Sequence, residues 1–242
     1  MFGYQGQTLG AALIIAGLSF ASPVAAATLN ASEVGNTVNI SYTCLAGDPC
    51  PDSGNTPSVD LSATAAFTLD SFTNDGSNTF AAFTVSLSNT STDGTSRISA
   101  IGFATDPDAT INGATDGNAD GVDWGVGAGF IPGFNGVVEL CAFSGNSCAS
   151  GSGGASNGVQ AGTTDIFGFT LTFAGVIDTF VMDSHALKIA SVSNSGDGSY
   201  EFGGTEDPSG DTPPPVPLPA AGLLLITSLG GLAALRRRRK TA

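Results

Sequence analysis

Val59-Asp60-Leu61-Ser62-Ala63-Thr64-Ala65-Ala66-Phe67-Thr68-Leu69 places an apolar side chain at every odd position and a small or polar one at every even position. Successive side chains on a strand point to opposite faces, so this stretch reads as a strand with one face for a core and one for water. The same rhythm recurs where Phe83, Val85 and Leu87 alternate with Thr84, Ser86 and Ser88, and where Phe167, Phe169, Leu171 and Phe173 alternate with Gly168, Thr170 and Thr172. Shorter runs at 37–43, 97–103, 137–143, 176–182 and 186–192 complete a set of about eight, none with a helical period. Turn chemistry separates them at Asn74-Asp75-Gly76, Thr92-Asp93-Gly94 and 194–198. One-faced strands joined by such turns bury their apolar faces by packing sheet on sheet. The pattern therefore predicts an all-β body over 28–204, an antiparallel β-sandwich with jelly-roll or Greek-key connections. Two stretches break the rhythm, a Gly- and Asp-rich one at 105–135 and a Gly- and Ser-rich one at 144–162. Both are expected to be long surface loops.

Charge is distributed unevenly. Five of the seven basic residues form the run Arg236 to Lys240, and the segment from Thr28 to Asp211 holds only Arg97 and Lys188 against all 21 acidic residues, a net charge of −19. Nucleic-acid affinity comes largely from Lys and Arg displacing counterions, so nucleic acid is excluded as a partner of this body. The field of such a body favours solubility and concentrates cations, calcium among them.

The two ends read as addresses rather than as parts of the fold. Leu9 to Phe20 is an apolar stretch of signal-peptide length, and Pro23-Val24-Ala25-Ala26-Ala27 follows with small residues where a signal peptidase cuts, after Ala27 or, second, after Ala26. Residues 1–27 are thus expected to be a signal peptide. At the other end 205–217 is a polar, Pro-rich spacer that prefers an extended form. Ala220 to Leu235 is uncharged and apolar, the composition of a short C-terminal transmembrane helix. The block Arg236, Arg237, Arg238, Arg239 and Lys240 then stays in the cytoplasm by the positive-inside rule, which leaves the body outside.

Val216-Pro217-Leu218-Pro219-Ala220, a short apolar helix and a terminal arginine block together resemble the VPLPA variant of the PEP-CTERM sorting signal. The resemblance covers 218–242 and the residues just before it. It implies that a membrane-embedded cysteine protease, an exosortase, recognises the proline motif and processes the tail. It also implies a Gram-negative envelope and extracellular polysaccharide around the product. It says nothing about the body.

Four cysteines come as two close pairs, Cys44/Cys50 and Cys141/Cys148. An exported chain meets an oxidising compartment, so disulfides are expected. Three pairings are open; the short Gly- and Pro-containing intervals favour Cys44–Cys50 and Cys141–Cys148. Zinc lacks support, since His185 is the only histidine and no CxxC spacing occurs. Val138-Glu139-Leu140-Cys141, Asn146-Ser147-Cys148, a Gly/Ser-rich stretch and Phe167-Gly168-Phe169-Thr170-Leu171 resemble the cistern family of PEP-CTERM proteins, cysteine-containing exported proteins with no established biochemical activity.

Asp116-Gly117-Asn118-Ala119-Asp120-Gly121-Val122-Asp123 offers oxygen ligands at alternate positions followed by Gly, as in the first half of an EF-hand loop. The twelfth position is Gly127, where that loop needs a bidentate Glu. Two readings stay open: a loop calcium site on Asp116, Asn118, Asp120 and Asp123, or an acidic solvated loop. Trp124 beside it reads as the anchor of a small satellite core. His185 has Asp183 and Ser184 as neighbours, but a catalytic triad is a spatial arrangement that adjacency does not make. Alternation puts Asp183 and His185 on one face and Ser184 on the other. No nucleophile-elbow pattern accompanies them. The expectation is a non-enzymatic cell-surface or extracellular-matrix protein that requires no cofactor, with signal peptidase and an exosortase-type protease as partners during export. A calcium-dependent carbohydrate-binding or adhesive module, with extracellular polysaccharide as partner, is the alternative.

Overall fold

The computed structural model of the chain describes residues 26–50, 54–116, 121–134, 136–149, 157–192 and 198–207. Twelve strands follow one another: β1 (Ala27–Asn30), β2 (Thr37–Cys44), β3 (Leu61–Asn74), β4 (Asn78–Asn89), β5 (Arg97–Asp106), β6 (Ala109–Asp116), β7 (Trp124–Ala128), β8 (Leu140–Ser144), β9 (Val159–Gln160), β10 (Thr164–Ala174), β11 (Thr179–Val192) and β12 (Gly198–Glu206). All pairings are antiparallel. The periodic stretches form strands with the expected faces inward. Leu61, Ala63, Ala65, Phe67 and Leu69 are buried, as are Phe83, Val85 and Leu87, and Phe167, Phe169, Leu171 and Phe173. The alternating residues Thr64, Thr84 and Thr172 stand on the outer face, where Thr84 Oγ1 donates to Asp70 Oδ2 at 2.7 Å.

The strands make one hydrogen-bonded path, β6-β10-β4-β3-β2-β12-β11-β5-β8-β7, with β1 on β11 and β9 on β5. The all-β, antiparallel expectation holds, but the two sheets expected of a sandwich are continuous through β12. Up to Gly203 that strand pairs with β11, and from Gly204 it pairs with β2. The glycine pair makes the corner possible. A Cβ on Gly204 would meet Ile40 Cγ2 and the Tyr42 ring at 2.5 Å, and strand glycines serve such bends and close approaches. The path then folds back on itself until its end strands β6 and β7 lie side by side. Among the described residues no ladder joins those two strands, so the sheet is a flattened barrel that is nearly closed.

Aromatic rings fill the space between the facing halves. Phe67 meets Phe103 edge-on at 5.9 Å, Phe103 stacks on Phe169 at 5.5 Å, and Phe180 is T-shaped to Phe83 at 6.3 Å. Offset and edge-to-face pairs of this kind add to the burial of the rings themselves. The halves are therefore held by interlocking side chains as well as by the shared strand.

Four expectations are corrected. The stretch 105–135 is no loop: it contains β6 and β7, and its last part folds over the outer face of β5 and β11. There Ile131, Phe134 and Val138 build a second small core on Ala100 and Ala186. Gly102 admits that cover, since a Cβ would come within 2.6 Å of Val138 Cγ1. The run 186–192 and the part of 176–182 from Thr179 onward belong to the single strand β11, whose register shifts against β5 between Asp183 and Ala186. The run 137–143 starts later as a strand, at Leu140, because Val138 is taken by the small core. Finally, β12 continues to Glu206, and Asp207 N–H bonds Asn39 O, so the body extends past residue 204 into the expected spacer. Residues 1–25 of the expected signal peptide 1–27, and the tail from 208 with the expected transmembrane helix and sorting motif, lie outside the described residues. Among the described residues no helix is long and apolar enough to cross a membrane.

Candidate functional site

An open cavity of about 390 Å³ lies where the first residues of β5 and β10 meet β9 and the segment leading into β7. Arg97, Asp123, Asn157, Gln160, Thr164 and Asp165 contribute its polar walls. Asp165, one residue into β10, is 3% exposed. Its carboxylate accepts from Trp124 Nε1 at 2.6 Å and from the Val122 N–H at 3.2 Å. Both bonds tie the 121–124 segment to β10. Trp124 is buried in the main core rather than in a satellite one, stacked on Phe167 with ring centroids 4.5 Å apart. The indole thus packs one face and donates from its edge, the two things a buried tryptophan needs.

Trp124→Phe keeps the ring packing and leaves a buried carboxylate short of a donor. It is expected to lower stability by about 2 kcal/mol, the scale of a hydrogen bond to a charged group. Denaturant unfolding at neutral pH measures it; a change within error would show that the bond contributes nothing.

Arg97 donates to Gly158 O at 3.4 Å and, among the described residues, pairs with no carboxylate. Asp123 is exposed at the rim, and among the described residues it has no hydrogen-bond partner. Of the four residues offered for calcium, Asp123 alone has a described side chain, and it faces this cavity. Asn118 and Asp120 lie outside the described residues, and of Asp116 only the backbone, paired with Phe167, is described. Among the described residues no three His, Cys, Asp or Glu side chains are grouped to hold a metal.

The body's other cation is spent. Lys188 Nζ lies 3.3 Å from Glu201 Oε1, with both side chains less than a tenth exposed. The two residues are direct cross-strand partners in β11 and β12. Ser199 Oγ donates to the same carboxylate oxygen at 3.2 Å, and Nζ reaches Ala149 O at 3.4 Å.

His185 is buried against Phe67, with ring centroids 5.8 Å apart, and neither ring nitrogen has a partner. Desolvation lowers its pKa from 6.5 to about 4. The register shift in β11 decides its placement. Met182 and His185 are both buried, whereas Asp183 and Ser184 are half-buried, so Asp183 and His185 do not share a face as simple alternation predicts. Ser184 takes a left-handed conformation at φ 54°, which absorbs the extra residue. With Asp183 and Ser184 both unbonded to the imidazole, the three residues form no relay.

Both short disulfides are present, Cys44–Cys50 and Cys141–Cys148, and no described cysteine is free. The first closes the turn after β2 and the second ties β8 to the loop that follows it. Val216, Pro217, Leu218, Pro219, Ala220 and Arg236 to Arg239 fall outside the described residues. Sequence reasoning found Asp123 but not Arg97, Asn157, Gln160 or Asp165 as members of one site. The available signal was the scarcity of cations, which makes Arg97 conspicuous. No protein-family model, curated protein or solved structure matches the chain. The fold and the cavity define the class directly: an acidic, disulfide-bonded, antiparallel β-barrel-like body with a polar cleft at the β5–β9–β10 end.

Proposed function

We propose that this chain is an exported, non-enzymatic cell-surface or extracellular-matrix protein, delivered through an exosortase-type sorting system. The observation that carries the reading is the closure of Cys44–Cys50 and Cys141–Cys148. Disulfides persist in oxidising compartments and are rare where glutathione keeps thiols reduced. The strongly acidic body and the order of parts in the tail agree with that destination. The buried imidazole supports the non-enzymatic part, since it is screened from substrate and lacks a relay partner.

Signal peptidase removes the N-terminal leader, and the tail holds the chain in the inner membrane until the VPLPA motif is processed. Ala27 is 7% exposed and pairs with Met182 at the start of β1, which favours the cut after Ala26 over the cut after Ala27. Mass spectrometry of the surface and secreted fractions tests the whole route. The expected product starts at Ala27, carries both local disulfides and ends before Arg236. A surface form whose C-terminal peptide still contains Arg236 would rule out tail processing, and reduced cysteines would rule out the compartment.

A further inference from the structure

Arg97 is one of two cations between Thr28 and Asp211, and the other, Lys188, is neutralised by Glu201 at 3.3 Å. In a body with 21 carboxylates, an arginine with no ion-pair partner among the described residues is a departure from what charge alone would arrange. It lines the 390 Å³ cavity together with Asp123, whose carboxylate has no hydrogen-bond partner among the described residues. Asn157 adds an exposed side-chain amide on the same wall. Donors and acceptors therefore face one space, both with unused capacity.

The charge pattern narrows the ligand. An anion would approach against the field of a strongly acidic body and would meet Asp123 and Asp165 inside the cavity. A cation would meet Arg97, and the described residues group no three carboxylate, histidine or cysteine ligands for a metal. A neutral ligand that both accepts and donates hydrogen bonds satisfies every wall. Vicinal hydroxyls do this, since each hydroxyl is a donor and an acceptor at once. The volume falls within the range of about 300–1,000 Å³ usual for small-molecule sites. One side is open to solvent, so a unit of a longer chain can be seated with its neighbours outside.

We propose that this cavity binds a neutral saccharide unit, with the Arg97 guanidinium and the Asn157 amide donating to its hydroxyls and the Asp123 carboxylate accepting from them. Asp165 acts as a positioning residue: through Trp124 and Val122 it holds the segment that presents Asp123. The site needs no metal. This goes beyond the sorting route and is independent of it, because a surface protein can be sorted as described whether or not the cavity is used.

The test uses the mature, disulfide-intact protein purified from its producing cells. Glucose-, galactose- and mannose-terminated oligosaccharides, a uronic-acid oligomer and calcium chloride are each titrated by calorimetry, the sugars also in the presence of a chelator. Binding of at least one neutral oligosaccharide is expected, unchanged by the chelator. Asp123→Asn and Arg97→Gln are each expected to weaken it at least tenfold, while Asp178→Asn, an exposed carboxylate at the β10–β11 turn, leaves it unchanged. Asp123 makes no internal bond, so its variant keeps the fold, and an unchanged melting temperature confirms this. No binding of any neutral oligosaccharide, preference for the uronic-acid oligomer, full affinity in the Asp123 variant, or loss of binding with the chelator would each overturn the proposal.

Discussion

Glu201→Ala is expected to cost about 3–5 kcal/mol of folding stability, the scale for breaking a buried ion pair by removing one partner. The cost comes from what remains. Among the described residues Lys188 Nζ would keep only its 3.4 Å contact with Ala149 O, and Ser199 Oγ would lose its acceptor. An ammonium on a side chain that is 6% exposed has little water to turn to. Replacing both members by apolar groups of similar length, Lys188→Met with Glu201→Leu, is expected to recover most of the loss, because desolvating two charges offsets much of their attraction. Chemical denaturation of the wild type, the single variant and the double variant measures all three. A single variant within about 1 kcal/mol of wild type would show that the pair is hydrated in solution and not buried as observed. The pair also matters for topology, since it joins β11 to β12 on the half of β12 that precedes its crossing to β2.

The second large effect is a dependence on pH. His185 has an unfolded-state pKa of 6.5 and a folded-state value of about 4, lowered by burial with no partner for either nitrogen. Above pH 6.5 the imidazole is neutral in both states and its neutral burial costs nothing further. As pH falls from 6.5 towards 4 the unfolded chain takes up a proton that the folded chain refuses, so stability falls. Below about 4 both states are protonated and the loss levels off at about 3 kcal/mol. The many carboxylates titrate in the lower part of this window, so the difference between wild type and His185→Leu isolates the histidine. That difference is expected to shift in the variant's favour by about 3 kcal/mol between pH 7.5 and pH 4. A constant difference across the window would mean that the imidazole is solvated or bonded in the folded protein.

How much of this could be read without the structure differs from element to element. β3, β4 and β10 were legible because their alternation is long and their inward residues are large: Phe67, Phe83 and Phe169 leave little choice of face. β6 and β7 were not, because Ile111, Trp124 and Val126 are their only large apolar side chains and Gly and Asp dominate around them. Those strands exist because β10 offers β6 a free edge and β8 offers one to β7, a cause that lies elsewhere in the chain. β11 was misread as two runs because its register shift at Asp183–Ala186 breaks the period without ending the strand. The same shift moves His185 into the core, which no count of alternate positions reveals.

The cavity divides in the same way. Asp123 was visible as part of an acidic, glycine-spaced motif, and the disulfide partners were visible as short intervals between cysteines. Arg97 and Asp165 are 68 positions apart and carry no local mark of a shared site. They meet because β5 and β10 both start at the same end of the barrel, joined there by β9 and by the Asp165–Trp124 bond.

By itself the chain's sequence determined the secondary-structure class, which follows from side-chain alternation, and the local disulfides, which follow from short loop closure. It also set the strongly acidic charge of the body. Tertiary structure alone decided that two expected sheets are one path turning through Gly203 and Gly204, that His185 is buried without a partner, and that one of only two body cations faces a cleft. Each of those depends on which backbone comes to lie against which, and close packing between distant segments leaves no periodic trace in the residues that produce it.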